Sequence, residues 1–208
     1  MLYELKSHLS THLINTLRDN RIDALVFRQT VKTLTILLAD AALQEDALQN
    51  CTFSTWEGEK TYKQFDENNM LFVTVLRAGL PMLEAMMDLF PDAQAGFLAI
   101  KRDEITHQST LYYDRVPDCK GKHLILVDPM IATGGSLIDA MELLKDRGAR
   151  QISSLNIIGA PEGLERVQQK YPQLDIYIAQ VDEGLDENKY IVPGLGDAGD
   201  REYNTFDD

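Results

Sequence analysis

Residues 128–136 have the composition and spacing of an anion site, and they read DPMIATGGS. An apolar run leads into this segment, and a helix is predicted directly behind it. Gly134 and Gly135 allow the backbone to approach a ligand closely and to turn its N–H groups inward. Thr133 and Ser136 add hydroxyl donors, while the start of the helix offers unpaired N–H groups and a positive dipole end. We therefore predict that this loop holds a phosphate without lysine or arginine.

Asp128, at the start of the loop, suits a different partner. Its carboxylate accepts hydrogen bonds from ribose hydroxyls and can stabilise a cationic sugar electrostatically. The alternative explanation of the loop is an ordinary turn between a strand and a helix, with a Ser or Thr cap. The apolar strand, the acid at its end and the helix behind it favour the phosphate site. Neither GxxxxGK[ST] nor GxGxxG behind a strand occurs, which excludes a P-loop NTPase and a dinucleotide-binding unit.

Three further groups of polar residues have competing explanations. Arg77 directly follows an apolar run, where an arginine is usually a surface charge, but its planar fork also matches phosphate oxygens. Asp197 lies among glycines, where an aspartate often only caps a turn. His107 and His123 show no metal-ligand spacing, and His123 is expected to begin a strand. An acidic cluster near the C-terminus is predicted to be a solvated loop and not a metal site: Asp182, Glu183, Asp186 and Glu187.

From residue 70 onward, short apolar runs alternate with segments of helical periodicity. Strands are predicted at residues 70–76, 96–100, 123–127, 152–158 and 174–181. Helices are predicted at residues 79–90, 135–147 and 162–170. This alternation indicates an α/β fold in which helices flank a parallel sheet. Because ligands bind beyond the carboxyl ends of such strands, residues 77–79 and 128–136 are where chemistry is expected.

The regions on either side of this core have their own patterns. Residues 5–44 predict a long amphipathic helical segment without Pro or Gly, and residues 51–65 predict a β-hairpin around Glu57-Gly58. Residues 190–208 are rich in Gly and Asp and show no periodicity. We expect a single domain over residues 1–208.

The charge and cysteine content limit the class of partner and the compartment. With 20 basic and 33 acidic residues, the net charge of −13 disfavours binding to nucleic acid or to an anionic membrane. No apolar stretch of about 18 residues and no signal peptide is found. The two cysteines, Cys51 and Cys119, lack CxxC spacing and are typical of reduced thiols. The cytoplasm is the expected location.

Several segments together resemble the uracil phosphoribosyltransferase family of the type I phosphoribosyltransferase superfamily. LILVDPMIATGGS at residues 124–136 is similar to the signature that binds 5-phosphoribosyl 1-diphosphate, and Pro129 stands where most of the superfamily has a second acid. VTVLRAGLPM at 73–82 is similar to the diphosphate loop, and YIVPGLGDAGD at 190–200 to the uracil-binding segment. APEGLE at 160–165 also fits. The match runs from about residue 70 to 200.

This resemblance implies a type I phosphoribosyltransferase fold and transfer of a phosphoribosyl group to uracil, which yields UMP and diphosphate. It implies N-terminal helices and a hairpin arm at residues 1–69, a core at 70–182 and a base-binding hood at 183–208. Catalytic roles fall to Asp128, Arg77 and Asp197. Uracil would contact Ile191, Gly196, Asp197 and Ala198, largely through backbone groups. Phosphoribosyl diphosphate would contact Arg77, Arg102, Asp128, Pro129, Met130, Ile131, Ala132, Thr133, Gly134, Gly135, Ser136 and Asp197. The expected cofactor is Mg²⁺, carried by the phosphoribosyl diphosphate without direct protein ligands.

The segment after Arg102 departs from the family pattern. Lys101 stands where many members have an aromatic residue, and residues 105–109 are unlike the usual form. A mobile flap is expected over residues 103–115, and its contacts and any response to an effector such as GTP are left open. The long N-terminal helix and the hairpin are expected to pack on a second copy, which gives a homodimer.

Two rival functions are weighed against this one. A transferase of the same fold acting on a purine, orotate or another base is disfavoured by the tail at residues 190–200. A non-catalytic regulator that senses phosphoribosyl diphosphate or a nucleotide and binds RNA is disfavoured by the charge of −13 and the lack of a basic cluster.

Overall fold

The computed structural model describes residues 1–102 and 109–206, most of which lie in regular strands or helices. The strands are β1 (Leu2–Glu4), β2 (Gln49–Thr55), β3 (Gly58–Gln64), β4 (Met70–Val75), β5 (Gln94–Arg102), β6 (Ser109–Arg115), β7 (His123–Val127), β8 (Met130–Ile131), β9 (Gln151–Gly159), β10 (Asp175–Val181), β11 (Gly184–Leu185) and β12 (Ile191–Val192). The helices are α1 (His8–Arg18), α2 (Ala24–Leu43), α3 (Leu80–Leu89), α4 (Gly135–Asp146), α5 (Pro161–Lys170) and α6 (Ala198–Tyr203).

The main sheet has the strand order β1-β10-β9-β7-β4-β5-β6, and β8 pairs with the end of β9. Its neighbouring strands are parallel except for β5 and β6. The predicted α/β fold with a parallel sheet is therefore confirmed. The edge strands β1 and β6 are absent from the prediction. Strand β6 takes up residues 109–115 of the expected flap, whereas residues 103–108 lie outside the described part of the chain.

Both faces of the sheet are covered, as the apolar strands predict. All six residues of β4 are buried, and they alternate between two cores. Phe72 belongs to the core beneath α1, α2 and α3, whereas Leu71 and Val73 belong to the core beneath α4 and α5. In the described part of the chain, no helix is long and apolar enough to cross a membrane. This two-sided burial fixes the sheet, so that the loops at its carboxyl edge have a firm base.

The predicted helical segment at residues 5–44 is divided, and the expectation of one long helix is wrong at residues 19–23. Asp19 accepts a hydrogen bond from the backbone N–H of Arg21 at 2.9 Å, which ends α1 in a turn. Asp23 then caps α2 by accepting from the N–H of Val26 at 2.8 Å. Aspartate side chains compete with helical hydrogen bonds in this way, so a helix can stop without Pro or Gly. The hairpin of β2 and β3 is confirmed.

Asp182 is not part of a solvated loop, and that prediction is wrong for this residue. Its side chain is fully buried at the end of β10 and forms a bidentate ion pair with Arg18. Nη2 of Arg18 lies 2.6 Å from Oδ1, and Nη1 lies 3.0 Å from Oδ2. It also accepts from the N–H of Gly194 at 2.9 Å, and Arg18 donates to the Gly194 carbonyl at 2.8 Å. The pair therefore ties α1 to the C-terminal segment.

Candidate active site

The first half of the phosphate loop is held by strand β9. The backbone N–H of Asp128 donates to Leu155 O at 3.2 Å, and the buried Asn156 side chain donates to Asp128 O at 2.7 Å. The carbonyl of Pro129 accepts from Ile157 and Ile158 at 2.9 and 3.0 Å. These bonds fix the direction in which the chain leaves β7. Asn156 is therefore a positioning residue. The sequence gives no sign of this role, because Asn156 lies inside an apolar strand.

The second half of the loop is shaped by glycine. Gly134 has φ 74° and occupies the N-cap position of α4, without a side-chain cap. The alternative that Thr133 or Ser136 occupies the cap position is therefore wrong. A left-handed cap residue of this kind favours glycine, and the first-turn N–H groups of α4 can serve an anion.

Helix α5 lies directly against this loop. A Cβ on Gly163 would stand 2.1 Å from the carbonyl oxygen of Ala132, and a Cβ on Gly134 would stand 2.7 Å from the carbonyl oxygen of Gly163. Side chains at either position would overlap with backbone. The two glycines therefore allow a contact that fixes the loop against the start of α5.

Burial changes the acid-base behaviour of Asp128. Desolvation raises the pKa of its carboxyl to about 7, and the N–H of Met130, 3.5 Å from Oδ1, lowers it in part. The carboxyl is thus divided between its protonated and ionised forms at neutral pH. A cationic group next to it would shift the balance to the carboxylate.

Arg77 follows β4 and lies against the C-terminal segment. Its Nη2 donates to Asp200 Oδ1 and its Nη1 to Thr205 Oγ1, both at 3.0 Å. A Cβ on Gly199 would stand 3.6 Å from Arg77 Nη2 and 3.3 Å from Asp197 Oδ1. The structure therefore brings the side chains of Arg77 and Asp197 to the same short helix, α6.

Asp197 caps that helix, since its Oδ1 accepts from the N–H of Asp200 at 2.9 Å. It also lines a cleft of about 860 Å³. The cleft lies between the phosphate loop and the C-terminal segment, and its lining comes from both sides: Met130, Ala132, Thr133, Glu162, Arg166, Leu185, Asn188, Lys189, Tyr190, Ile191, Leu195, Gly196 and Asp197. Ligand-sized space thus exists where the two motifs meet.

The predicted site residues have different positions relative to this cleft. Ile191, Gly196 and Asp197 of the predicted uracil site line it, whereas Ala198 is fully buried in the core. Of the predicted phosphate loop, Met130, Ala132 and Thr133 line it. Asp128, Pro129, Ile131, Gly134, Gly135 and Ser136 complete the same loop, without being part of that lining. Arg102 ends β5, and its side chain lies outside what the structure describes. The ligand contacts of all these residues stay predictions.

Arg201 anchors the C-terminal segment and is a residue that sequence reasoning missed. Its guanidinium donates to the carbonyls of Leu17, Leu195 (2.8 Å) and Asp19 (2.8 Å) and lies 4.5 Å from the centre of the Phe27 ring. These partners are at the end of α1, in the tail and on α2. A single arginine in an acidic tail is expected to be an exposed surface charge. Its anchoring role is visible only from its contacts with distant parts of the chain.

Glu202 is a second missed residue. Its side chain is fully buried, and among the described residues neither carboxyl oxygen has a hydrogen-bond partner. The pKa of its carboxyl is raised to about 9, mainly by desolvation and also by the charge of Asp128, against an opposing effect of Arg28. Arg28 also donates to the backbone carbonyl of Glu202. The carboxyl is therefore protonated at neutral pH and adds no negative charge beside Asp128.

Glu202→Gln should stabilise the protein increasingly as pH rises. The folded pKa lies above the unfolded one, so wild-type stability is lost between about pH 4.5 and 9, and the amide cannot ionise. From pH 5 to pH 8 the free energy of unfolding of the variant, relative to wild type, should grow by about 4 kcal/mol. Urea titrations across this range measure it. Exposed Glu165→Gln is the control, and parallel curves for the Glu202 variant and wild type would contradict the burial of a protonated carboxyl.

Gly163→Ala should disturb the phosphate loop through the clash with Ala132. We expect a loss of about 1–3 kcal/mol of stability from overpacking. Inorganic phosphate, added as a ligand, should raise the melting temperature of wild type but have less effect on the variant. Gly121→Ala is the control for a general loss of stability, because its φ of 71° makes alanine strained there while its Cβ would have nothing within 4 Å. Equal phosphate stabilisation in both variants would refute the proposed dependence of the loop on α5.

Comparison with known proteins gives a consistent result. A sequence model described as "Uracil phosphoribosyltransferase" matches residues 4–205. A uracil phosphoribosyltransferase from Aquifex aeolicus is 41% identical over 203 residues, which are 98% of each chain. Another from Kineococcus radiotolerans is 44% identical over 201 residues, which are 95% of each chain.

Solved structures agree with this match. A protein from Aquifex aeolicus superposes with a TM-score of 0.94 at 40% identity, over 99% of both chains. A purine phosphoribosyltransferase from Pyrococcus horikoshii has a TM-score of 0.51 at 17% identity, over 76% of this chain and 89% of its own, which shows a shared fold. With the loop, the cleft and the C-terminal segment arranged as described, the chain belongs to the uracil phosphoribosyltransferase family.

Proposed function

We propose that this protein transfers the phosphoribosyl group of 5-phosphoribosyl 1-diphosphate to N1 of uracil, releasing diphosphate and forming UMP. The observation that carries the proposal is the cleft of about 860 Å³ between two motifs. One wall is the phosphate loop, and the other is the C-terminal segment that resembles a uracil site. Membership of the family supports the same reaction.

The phosphate loop would bind the ribose 5-phosphate. The N–H groups at the start of α4 and the backbone of Gly134 provide donors and a favourable dipole. The loop is fixed by β9 on one side and by Gly163 on the other. This rigidity holds the sugar at a constant position relative to Asp128, and such positioning lowers the entropic part of the barrier.

Asp128 would stabilise the sugar as it becomes cationic. The bond between C1 and the diphosphate oxygen breaks while the bond from uracil N1 forms, and the N1 proton is released to solvent. Positive charge develops on the ribose as the first bond breaks. The carboxylate form of Asp128 would interact favourably with that charge in a site of low dielectric constant. Neutral Glu202 leaves Asp128 able to ionise near pH 7, since a second negative charge close by would raise its pKa further.

Arg77 would bind the diphosphate leaving group. Its guanidinium is already oriented by Asp200 and Thr205, and a planar fork matches phosphate oxygens. Mg²⁺ bound to the diphosphate would neutralise part of the remaining charge of the leaving group. Asp197 Oδ1 and Arg77 Nη2 lie 3.3 and 3.6 Å from the same point, the Cβ position of Gly199, and carboxylate oxygen is a donor that suits Mg²⁺. We propose Mg²⁺ as a cofactor carried by the substrate.

The C-terminal segment would bind uracil through backbone groups. Gly196 has φ 75°, and Gly194 has φ 65° with its Cβ position only 2.0 Å from the carbonyl oxygen of Ile191. Asp182 and Arg18 bind the N–H and C=O of Gly194, so the proposed contacts with uracil fall to the backbone of Ile191 and Gly196, which line the cleft. Backbone groups of fixed direction distinguish the donors and acceptors of a base.

We further propose a homodimer in which the hairpin of β2 and β3 contacts a second copy. Trp56 at its tip is 93% exposed, and Tyr62 and Phe53 on its strands are 55% and 37% exposed. Aromatic side chains grouped on a projecting hairpin are typical of an interface. The cytoplasm is the proposed location, and regulation by GTP stays a prediction.

Asp128→Asn tests the proposed reaction directly. With uracil, phosphoribosyl diphosphate and Mg²⁺, wild type should form UMP, and the variant should be at least ~100-fold slower, as expected for loss of one transition-state stabiliser. Since the pKa of Asp128 is about 7, the wild-type rate should fall as pH drops below 7, and the variant should lack this dependence. Asp146→Asn, exposed at the far end of α4, is the control. No UMP from wild type would rule out the reaction, and a near-normal rate in Asp128→Asn would rule out the role of Asp128.

Trp56→Ser tests the dimer. Loss of an exposed aromatic anchor should raise the dissociation constant at least ~10-fold, which corresponds to about 1.4 kcal/mol. Sedimentation velocity over a dilution series measures this change. Tyr112→Ser, which removes an exposed ring on β6, is the control. A shift in the control but not in the hairpin variant would place the interface elsewhere.

A further inference from the structure

Two cations line the cleft and have no role in the reaction as described so far. They are Arg166 on α5 and Lys189 in the loop between β11 and β12. Ion pairs among the described residues involve neither of them. In a chain with 33 acidic and 20 basic residues, carboxylates are abundant partners. Two cations without such a partner, on the walls of one cleft, indicate that the cleft takes an anion there.

Arg166 is directed to the phosphate loop by the packing of α5. Gly163 contacts the loop backbone, and one turn later Nη1 of Arg166 donates to the carbonyl of Thr133 at 3.2 Å. A guanidinium has five N–H donors, so this bond leaves others for a ligand. The guanidinium thus lies beside the residues that begin α4.

Glu162 would be the ordinary partner of Arg166, because residues four apart face each other on a helix. Its Oε1 instead accepts from the backbone N–H of Leu185 at 3.2 Å. Glu162 therefore holds the loop that carries Lys189 against α5, and Arg166 keeps its charge uncompensated.

Lys189 stands in a backbone conformation that is rare for a lysine, with φ 69°. Asp186 maintains it: the side-chain oxygen Oδ1 accepts from the N–H groups of Asn188 (2.9 Å) and Tyr190 (2.8 Å). The N–H of Lys189 donates to the carbonyl of Asp186 at 3.1 Å. Such strain at a cleft residue is frequently connected with function.

We propose that Arg166 and Lys189 form a cationic clamp for the 5-phosphate of the phosphoribosyl substrate, in addition to the backbone donors of the phosphate loop. The clamp rests on the proposed function, because it assigns residues to one group of that substrate. A phosphate monoester carries close to two negative charges, and the net charge of −13 repels it at long range. Local cations offset this repulsion, and the guanidinium adds directional hydrogen bonds to phosphate oxygens.

If the clamp binds the 5-phosphate, Arg166 and Lys189 should contribute to the affinity for ribose 5-phosphate although they lie outside the phosphate loop. In the whole protein, without uracil, calorimetry with ribose 5-phosphate should show binding to wild type. Arg166→Ala should weaken it ~10-fold or more, and Lys189→Ala ~3-fold or more, with a shallower salt dependence in both. Arg166→Lys should retain part of the affinity. Arg150→Ala, an exposed arginine at the opposite end of β9, is the control and should bind as wild type does.

Steady-state kinetics provide a second readout. Both alanine variants should raise KM for phosphoribosyl diphosphate while KM for uracil and kcat change little. Wild-type affinity for ribose 5-phosphate in either alanine variant, or no binding to wild type, would overturn the clamp. Because this binding is measured without uracil, a wild type that binds ribose 5-phosphate but makes no UMP would refute the proposed reaction and leave the clamp intact.

Discussion

The arrangement of the cleft depends on a backbone-to-backbone contact between the phosphate loop and α5. Gly134 and Gly163 make it possible, since a methyl group at either position would overlap with a carbonyl oxygen. The loop follows β7 and the helix follows β9, so the contact joins two successive strand-helix units. Through it, the backbone of the loop, the side chain of Arg166 and the segment held by Glu162 are all set together.

The opposite wall of the cleft is the C-terminal segment, and two buried charged residues, Asp182 and Arg201, fix it against the N-terminal helices. Arg201 binds carbonyls at the end of α1, and Asp182 joins Arg18 to the turn at Gly194. The contacts of Arg201 with α1 and of Arg18 with Asp182 join residues more than 160 positions apart in the sequence. Helices α1 and α2 therefore support the site even though they contribute no residue to the lining of the cleft.

The sequence allowed the central strands of the sheet and the strand-to-helix loop at residues 128–136 to be predicted, because each depends on local patterns such as apolar runs and glycine spacing. The ligand roles of this loop and of Arg77 stay predictions. The break at Asp19 and Asp23 was missed since aspartate ends a helix only when its side chain turns back on the backbone. Asp182, Arg201 and Glu202 were missed for another reason. Their burial results from segments that meet only after folding, and a charged residue carries no local sign of it.

The contact of Arg77 with Asp200 and Thr205 has a consequence for ligand exchange. An oxygen of diphosphate that binds the same N–H groups has to displace an oxygen of the protein. The guanidinium would then pass from one anion to another without being left uncompensated. In the proposed reaction, the return of the carboxylate would assist the departure of diphosphate, so that the tail would act as an internal competitor for the guanidinium.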